Sequence, residues 1–96
     1  MKTKIYLSGS ISDDPDYYQR FHDKEQELKL QYDEVFNPAK LDAGDKDWWW
    51  YLRRDCNIIW NGNFTHIYMM KGYKEGSEIE LIVSKKLKLQ VVYEED

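Results

Sequence analysis

The sequence predicts an α/β fold with four parallel strands in the order 2-1-3-4 and helices on both faces of the sheet. Three observations carry this expectation. Apolar runs of strand length alternate with segments of helical period along all 96 residues, giving strand, helix, strand, helix, strand, helix, strand. Each pair of consecutive strands is separated by a connection long enough for a helix, which suits parallel pairing through right-handed crossovers. The first apolar run, Ile5-Tyr6-Leu7-Ser8-Gly9-Ser10-Ile11, stops in small and hydroxylated residues, as a buried strand feeding a ligand-binding loop does. Together these describe a small doubly wound domain of the flavodoxin or Rossmann-like kind, spanning residues 1–96 without internal repeats.

The turn after the first strand has two readings. Small residues let backbone N–H groups approach a ligand, and the hydroxyls of Ser8 and Ser10 add hydrogen bonds to phosphate or sugar oxygens. The other reading is a plain Ser/Gly turn.

Residues 12–16, Ser-Asp-Asp-Pro-Asp, then read as a helix start, with Asp14 as N-cap, Pro15 in the first helical position and Asp16 at the positive helix end. The helix is expected to run to about Leu30. Tyr17, Phe21 and Leu28, helped by Tyr18 and the stem of Lys24, form its apolar stripe, and Glu25, Glu27 and Lys29 face solvent. Residues 32–36 make a second strand closed by Asn37-Pro38. Residues 39–46 form the longest irregular segment, turning around Gly44. In a doubly wound sheet such a loop sits near the strand ends where ligands bind, although a surface connection is equally consistent with it.

Asp47 is placed to cap a helix that continues to Trp60. One stripe of this helix holds Trp49, Leu52, Cys56, Ile59 and Trp60, and a second holds Trp48, Tyr51, Asp55 and Ile58. Asp55 thus lies among large apolar groups, where an unpaired carboxylate is costly to ionise. Either an arginine neutralises it, or it has a chemical role. Residues 61–63, Asn-Gly-Asn, end the helix through a left-handed residue. Residues 65–70 form the third strand, in which His66 is a packing or strand-edge residue.

The segment from Lys71 to Glu80 contains Gly72, Gly76 and Ser77 and leads into a helix ending near Lys86, with Ile79, Ile82 and Val83 as its buried face. Residues 89–93 form the last strand, followed by a frayed acidic tail. Ser8-Gly9-Ser10 and the 71–77 loop should converge at the switch point between the first and third strands.

Composition narrows the class of function. Four Trp, eight Tyr and three Phe supply large burial units to a chain near the length at which one core suffices. A net charge of −4 argues against a partner made of nucleic-acid polymer, which selects a basic face. Lys85, Lys86 and Lys88 form the one tight basic cluster and read as a solvated helix end. With a single cysteine, Cys56, no internal disulfide forms, and a reducing cytoplasmic location is the default. His22 and His66 lack companions at ligand spacing, so neither a metal nor a cofactor is expected. No apolar run reaches the length of a membrane span or a signal peptide.

The set Tyr6-Leu7-Ser8-Gly9-Ser10-Ile11, Trp48, Tyr51-Leu52-Arg53-Arg54-Asp55, Gly72-Tyr73 and Gly76-Ser77-Glu78-Ile79-Glu80 resembles the nucleoside 2-deoxyribosyltransferase superfamily, in particular its small, often phage-encoded members. The resemblance follows nearly the whole chain in order and spacing. It implies an enzyme that cleaves or exchanges the bond between a base and a sugar in a nucleoside or nucleotide. It matches Glu80 to the nucleophile, Asp55 to an aspartate supporting sugar or base chemistry, and Tyr6 to a tyrosine that orients the nucleophile. The Gly9-Ser10 turn would hold a 5′-phosphate, and the protein would be a homodimer. Ser8, Trp48, Gly72, Gly76 and Ser77 complete the candidate binding set, with Trp48 stacking on the base.

The chemistry is coherent. Loss of the base leaves an oxocarbenium-like sugar that a carboxylate can trap, and a carboxylic acid of raised pKa, for which Asp55 is the candidate, protonates the departing base. Glu80 also has a local reading, a capping box in which Ser77 is the N-cap and Glu80 reaches back to its backbone. Two functions of other classes stand beside the enzyme. One is a non-catalytic protein that sequesters a nucleotide or nucleotide-derived signal in the same crevice. The other is an interaction module built on the tryptophan cluster, since three adjacent tryptophans cannot all face one core; Trp50 is the one expected to be exposed.

Overall fold

The computed structural model describes residues 2–11, 14–41 and 43–95. The elements follow as β1 (Lys4–Ser8), α1 (Tyr17–Leu28), β2 (Glu34–Phe36), α2 (Trp48–Asn61), β3 (His66–Met69), α3 (Glu75–Lys86) and β4 (Gln90–Tyr93), with one turn of 3-10 helix over Pro38–Lys40. All strand pairs are parallel, in the order β2-β1-β3-β4, so the predicted topology is the observed one. Tyr6 lies opposite Phe36 on one side and Ile67 on the other.

The two-residue period of β1 divides the core. Ile5 and Leu7 project to one face, where they pack with Phe21 and Leu28 of α1 and with Tyr68 and Met70. Tyr6 projects to the other face, against Ile59 of α2, Leu81 of α3, and Phe64, Ile67 and Met69. Ser8, two residues beyond Tyr6, points to the same face and meets α3. Thus β1 sends a tyrosine and a serine toward the layer formed by α2 and α3. Where β1 ends, a Cβ at Gly9 would lie 3.0 Å from Met70 Cβ and 3.1 Å from the Phe21 ring, so the smallest residue stands where α1 and β3 press closest. Among the described residues no helix is long and apolar enough to cross a membrane.

Several local expectations change. The start of α1 lies later than its sequence signals indicate: Asp14 caps no helical turn but accepts the Asp16 N–H and pairs with Arg20, and Ser12 and Asp13 lie outside the described residues. Tyr18 is exposed. Glu25, expected in solvent, is only 3% exposed, because Asn37, Lys40 and Lys29 all reach its carboxylate from α1 and the segment after β2. Burial alone would raise its pKa, but the hydrogen bonds from Lys40, Asn37 and Lys29 bring it down to about 2. Part of the expected 39–46 loop is the 3-10 turn, capped by Asn37 through Ala39 N–H, and Asp42 is not described.

On α2, Asp47 caps as expected, accepting the Trp50 N–H at 2.8 Å. The buried face is Leu52, Asp55 and Ile59. Trp49 and Trp60 are exposed rather than core, and Trp50, at 38%, is the least exposed of the three adjacent tryptophans. The left-handed residue that ends α2 is Asn63 (φ 55°); Gly62 is required by space, since a Cβ there would fall 2.4 Å from the Phe64 ring. On α3, Ile82 is exposed, and the inward stripe is Ser77, Glu80, Leu81 and Ser84. The tail is held at Glu94, which accepts the Lys71 N–H and pairs with Lys24; Asp96 is not described.

Candidate active site

The carboxyl ends of β1, β2 and β3 open onto a cavity of about 510 Å³. That volume lies within the range of small-molecule sites. Its wall contains Gly9 and Ser10 after β1, Pro38, Ala39 and Leu41 after β2, and Lys74, Glu75, Gly76 and Ser77 after β3. Helix α2 contributes Trp48, Tyr51, Arg54 and Asp55 at spacings of three and four that keep one side of the helix toward the cavity, and α3 contributes Glu80.

Seven of the ten candidate residues meet here: Gly9, Ser10, Trp48, Asp55, Gly76, Ser77 and Glu80. Ser8 and Tyr6 lie beneath the wall, both buried. Gly72 stands apart; its φ of +79° and the open space around it mark a turn glycine. Gly76 lets the Trp48 indole lie against the first turn of α3, where a Cβ would come within 3.4 Å of Nε1.

The floor is a pair of buried carboxyls. Glu80 Oε1 accepts a hydrogen bond from Ser8 Oγ at 2.8 Å. Asp55 Oδ1 accepts from Arg54 Nε at 2.9 Å and pairs with Arg54 Nη2 at 2.8 Å. Arg54 also donates through Nη1 to the Leu41 carbonyl, and its guanidinium lies 5.1 Å from the Tyr51 ring centroid and 5.7 Å from that of Trp50. Tyr51 Oη donates in turn to the Gly44 carbonyl at 2.8 Å, so α2 also holds the segment that precedes it.

Burial, reinforced by the nearby Asp55 charge, pushes Glu80 up to about 8, with the Ser8 hydrogen bond and Arg54 opposing. Asp55 is also raised by burial, with Arg54 and then Tyr6 opposing. Burial together with Glu80 and Asp55 raises the Tyr6 phenol well above its ordinary value. Among the described residues Tyr6 Oη is the sealed side-chain polar atom without a hydrogen-bond partner, although it lies close enough to Asp55 to favour that carboxylate. Burial and the same two carboxyls push the Cys56 thiol up to about 11, which leaves it a poor nucleophile.

The capping-box reading of Glu80 does not hold. Helix α3 begins at Glu75 with Lys74 in the cap position, which places Ser77 inside the helix and Glu80 well past the first turn. The Glu80 carboxyl is turned to Ser8, and Ser84 Oγ donates to its backbone carbonyl. Arg54 is the arginine that sequence reasoning offered as a partner for Asp55, and the 39–46 loop reaches the cavity through Leu41 and Lys46; Tyr51 and Tyr17 had no expected place in the wall. A signal was present for Tyr51, which shares the stripe of Trp48 and Asp55.

The chain matches the family model described as a domain of unknown function, DUF4406, over residues 3–93, and it belongs to that family. No curated protein and no solved structure matches it.

Proposed function

We propose that this DUF4406 protein binds a nucleoside or nucleotide in the cavity and cleaves or exchanges its base-sugar bond through the carboxyl pair Glu80 and Asp55. The observation that carries the reading is the convergence of two buried carboxyls, one from α2 and one from α3, in a single cavity at the strand ends. A buried carboxyl without a charged partner, as Glu80 is, is a cost to folding, and carboxyls of raised pKa gathered in a cleft are candidates for acid-base chemistry. Trp48, Tyr17 and Tyr51 give the wall aromatic surface for a flat base, and the small residues Gly9 and Ser10 leave room for a sugar or its phosphate. The sequence resemblance to deoxyribosyltransferases points the same way.

In the reaction the C1′–N bond breaks with its electron pair moving to the base, one carboxyl protonates that base, and the other faces the oxocarbenium-like carbon. Water completes hydrolysis; a second base completes exchange. Chromatography of the protein with nucleosides and deoxynucleoside monophosphates should detect free base, and Glu80→Gln should abolish its release. Saturable binding of the same compounds without turnover would favour sequestration instead. An interaction role has its own support in Trp49 and Trp60, 58% and 60% exposed, which lie on one side of α2. Loss of partner capture in Trp49→Ser, with no small molecule bound, would favour it.

A further inference from the structure

We propose that the two carboxyls are unlike in the resting protein, Glu80 holding the proton and Asp55 the negative charge, and that Arg54 is the positioning residue that divides them. This rests on the carboxyl-pair reading of the same site but concerns the protein before any ligand binds.

The division follows from who faces whom. Two donors of Arg54 converge on Asp55 Oδ1 and a third reaches the Leu41 carbonyl. A guanidinium keeps its charge at every accessible pH, and two charge-assisted bonds hold the acceptor as a carboxylate. Glu80 receives its side-chain hydrogen bond from a neutral hydroxyl, that of Ser8. The other titratable or charged groups around it are Cys56, Asp55 and, opposing burial, Arg54 from α2 and Tyr6 from β1, with Lys46, Lys74 and Glu75 elsewhere on the cavity wall. A second negative charge beside Asp55 is opposed by burial and by repulsion together. The same guanidinium ties Asp55 to Leu41, which lines the cavity after β2.

The roles that result reverse the expectation from sequence, in which the resemblance makes Glu80 the nucleophile and Asp55 is the candidate acid. As the C1′–N bond breaks, its electron pair goes to the base nitrogen, which takes the Glu80 proton. The Asp55 carboxylate faces the positive sugar carbon. Water then forms the C1′–O bond and gives its proton to the Glu80 carboxylate, restoring the resting state.

The test is a titration of the ligand-free protein with ¹³C-labelled Glu and Asp carboxyls, followed by infrared or NMR spectroscopy. The expected result is one Glu carboxyl still protonated at pH 7 and titrating near 8, absent in Glu80→Gln, with the Asp55 signal, assigned by Asp55→Asn, already ionised. Arg54→Gln should raise the Asp55 titration, because the two donors that favour its ionised form are gone, while Arg54→Lys, which keeps a cation, should raise it less. Glu80 ionised at pH 6, Asp55 protonated at pH 7, or titrations unmoved in both Arg54 variants would overturn the proposal. If base is released, the rate should fall as pH rises through Glu80's titration; a rate rising there would overturn the reversed roles while sparing the glycosidic reading. Absence of base release at every pH would defeat the glycosidic reading and leave the charge division to the spectroscopic result.

Discussion

A buried acid that keeps its proton has a thermodynamic signature at Glu80. Its folded pKa, about 8, exceeds the ordinary carboxyl value, so the folded state binds the extra proton. The stabilisation from this group is complete below the unfolded pKa and is lost as pH rises through about 8. Glu80→Gln, which keeps the carbonyl acceptor for Ser8 and never ionises, should therefore raise the melting temperature at pH 8 and above and change it little near pH 4. Equal effects at both pH values would contradict this. At Gly62 the prediction is steric: Ala would press on Phe64 and on the Ile58 carbonyl, costing about 1–3 kcal/mol by denaturant unfolding. The sequence made Asp55 legible as a buried carboxylate because apolar neighbours surround it on a helical stripe. The burial of Glu80 was harder to read, because Ser77 and Ser84 flank it on a polar stripe and only the close approach of α3 to Ser8 turns that stripe inward.

At the scale of elements, α2 and its N-cap were legible from Asp47 and the apolar period. Asp47→Ala should cost about 1 kcal/mol through loss of the Trp50 N–H acceptor. The misreading of Glu25 has a specific cause: its partners Asn37 and Lys40 lie 12 and 15 residues away, beyond any helical spacing. Because this carboxylate joins α1 to the segment that walls the cavity, Glu25→Ala should lower stability by about 1–3 kcal/mol. The wild-type protein should lose the same contribution as pH falls from the ordinary glutamate range toward 2, since Glu25 is depressed in the folded state. Acid titration of both proteins checks this: their stabilities should converge at low pH.

For the whole molecule, strand order was legible because four apolar runs separated by helices leave few right-handed parallel arrangements. The placement of the tryptophans was not. Helical period shows which residues share a side, whereas three of α2's four tryptophans are more exposed than Trp50 because α2 meets the sheet through Leu52, Asp55 and Ile59. Trp49→Ser and Trp60→Ser should each shift unfolding free energy by no more than about 0.5 kcal/mol. The fold thus brings β1, α2 and α3 together at one cavity that holds the two carboxyls, and we propose that this pair breaks a base-sugar bond. Incubation with a panel of nucleosides and deoxynucleoside monophosphates, read by chromatography for free base, tests it most directly. Base released by the wild-type protein and not by folded Glu80→Gln is the expected result; release unchanged in that variant, or none across the panel, would contradict it.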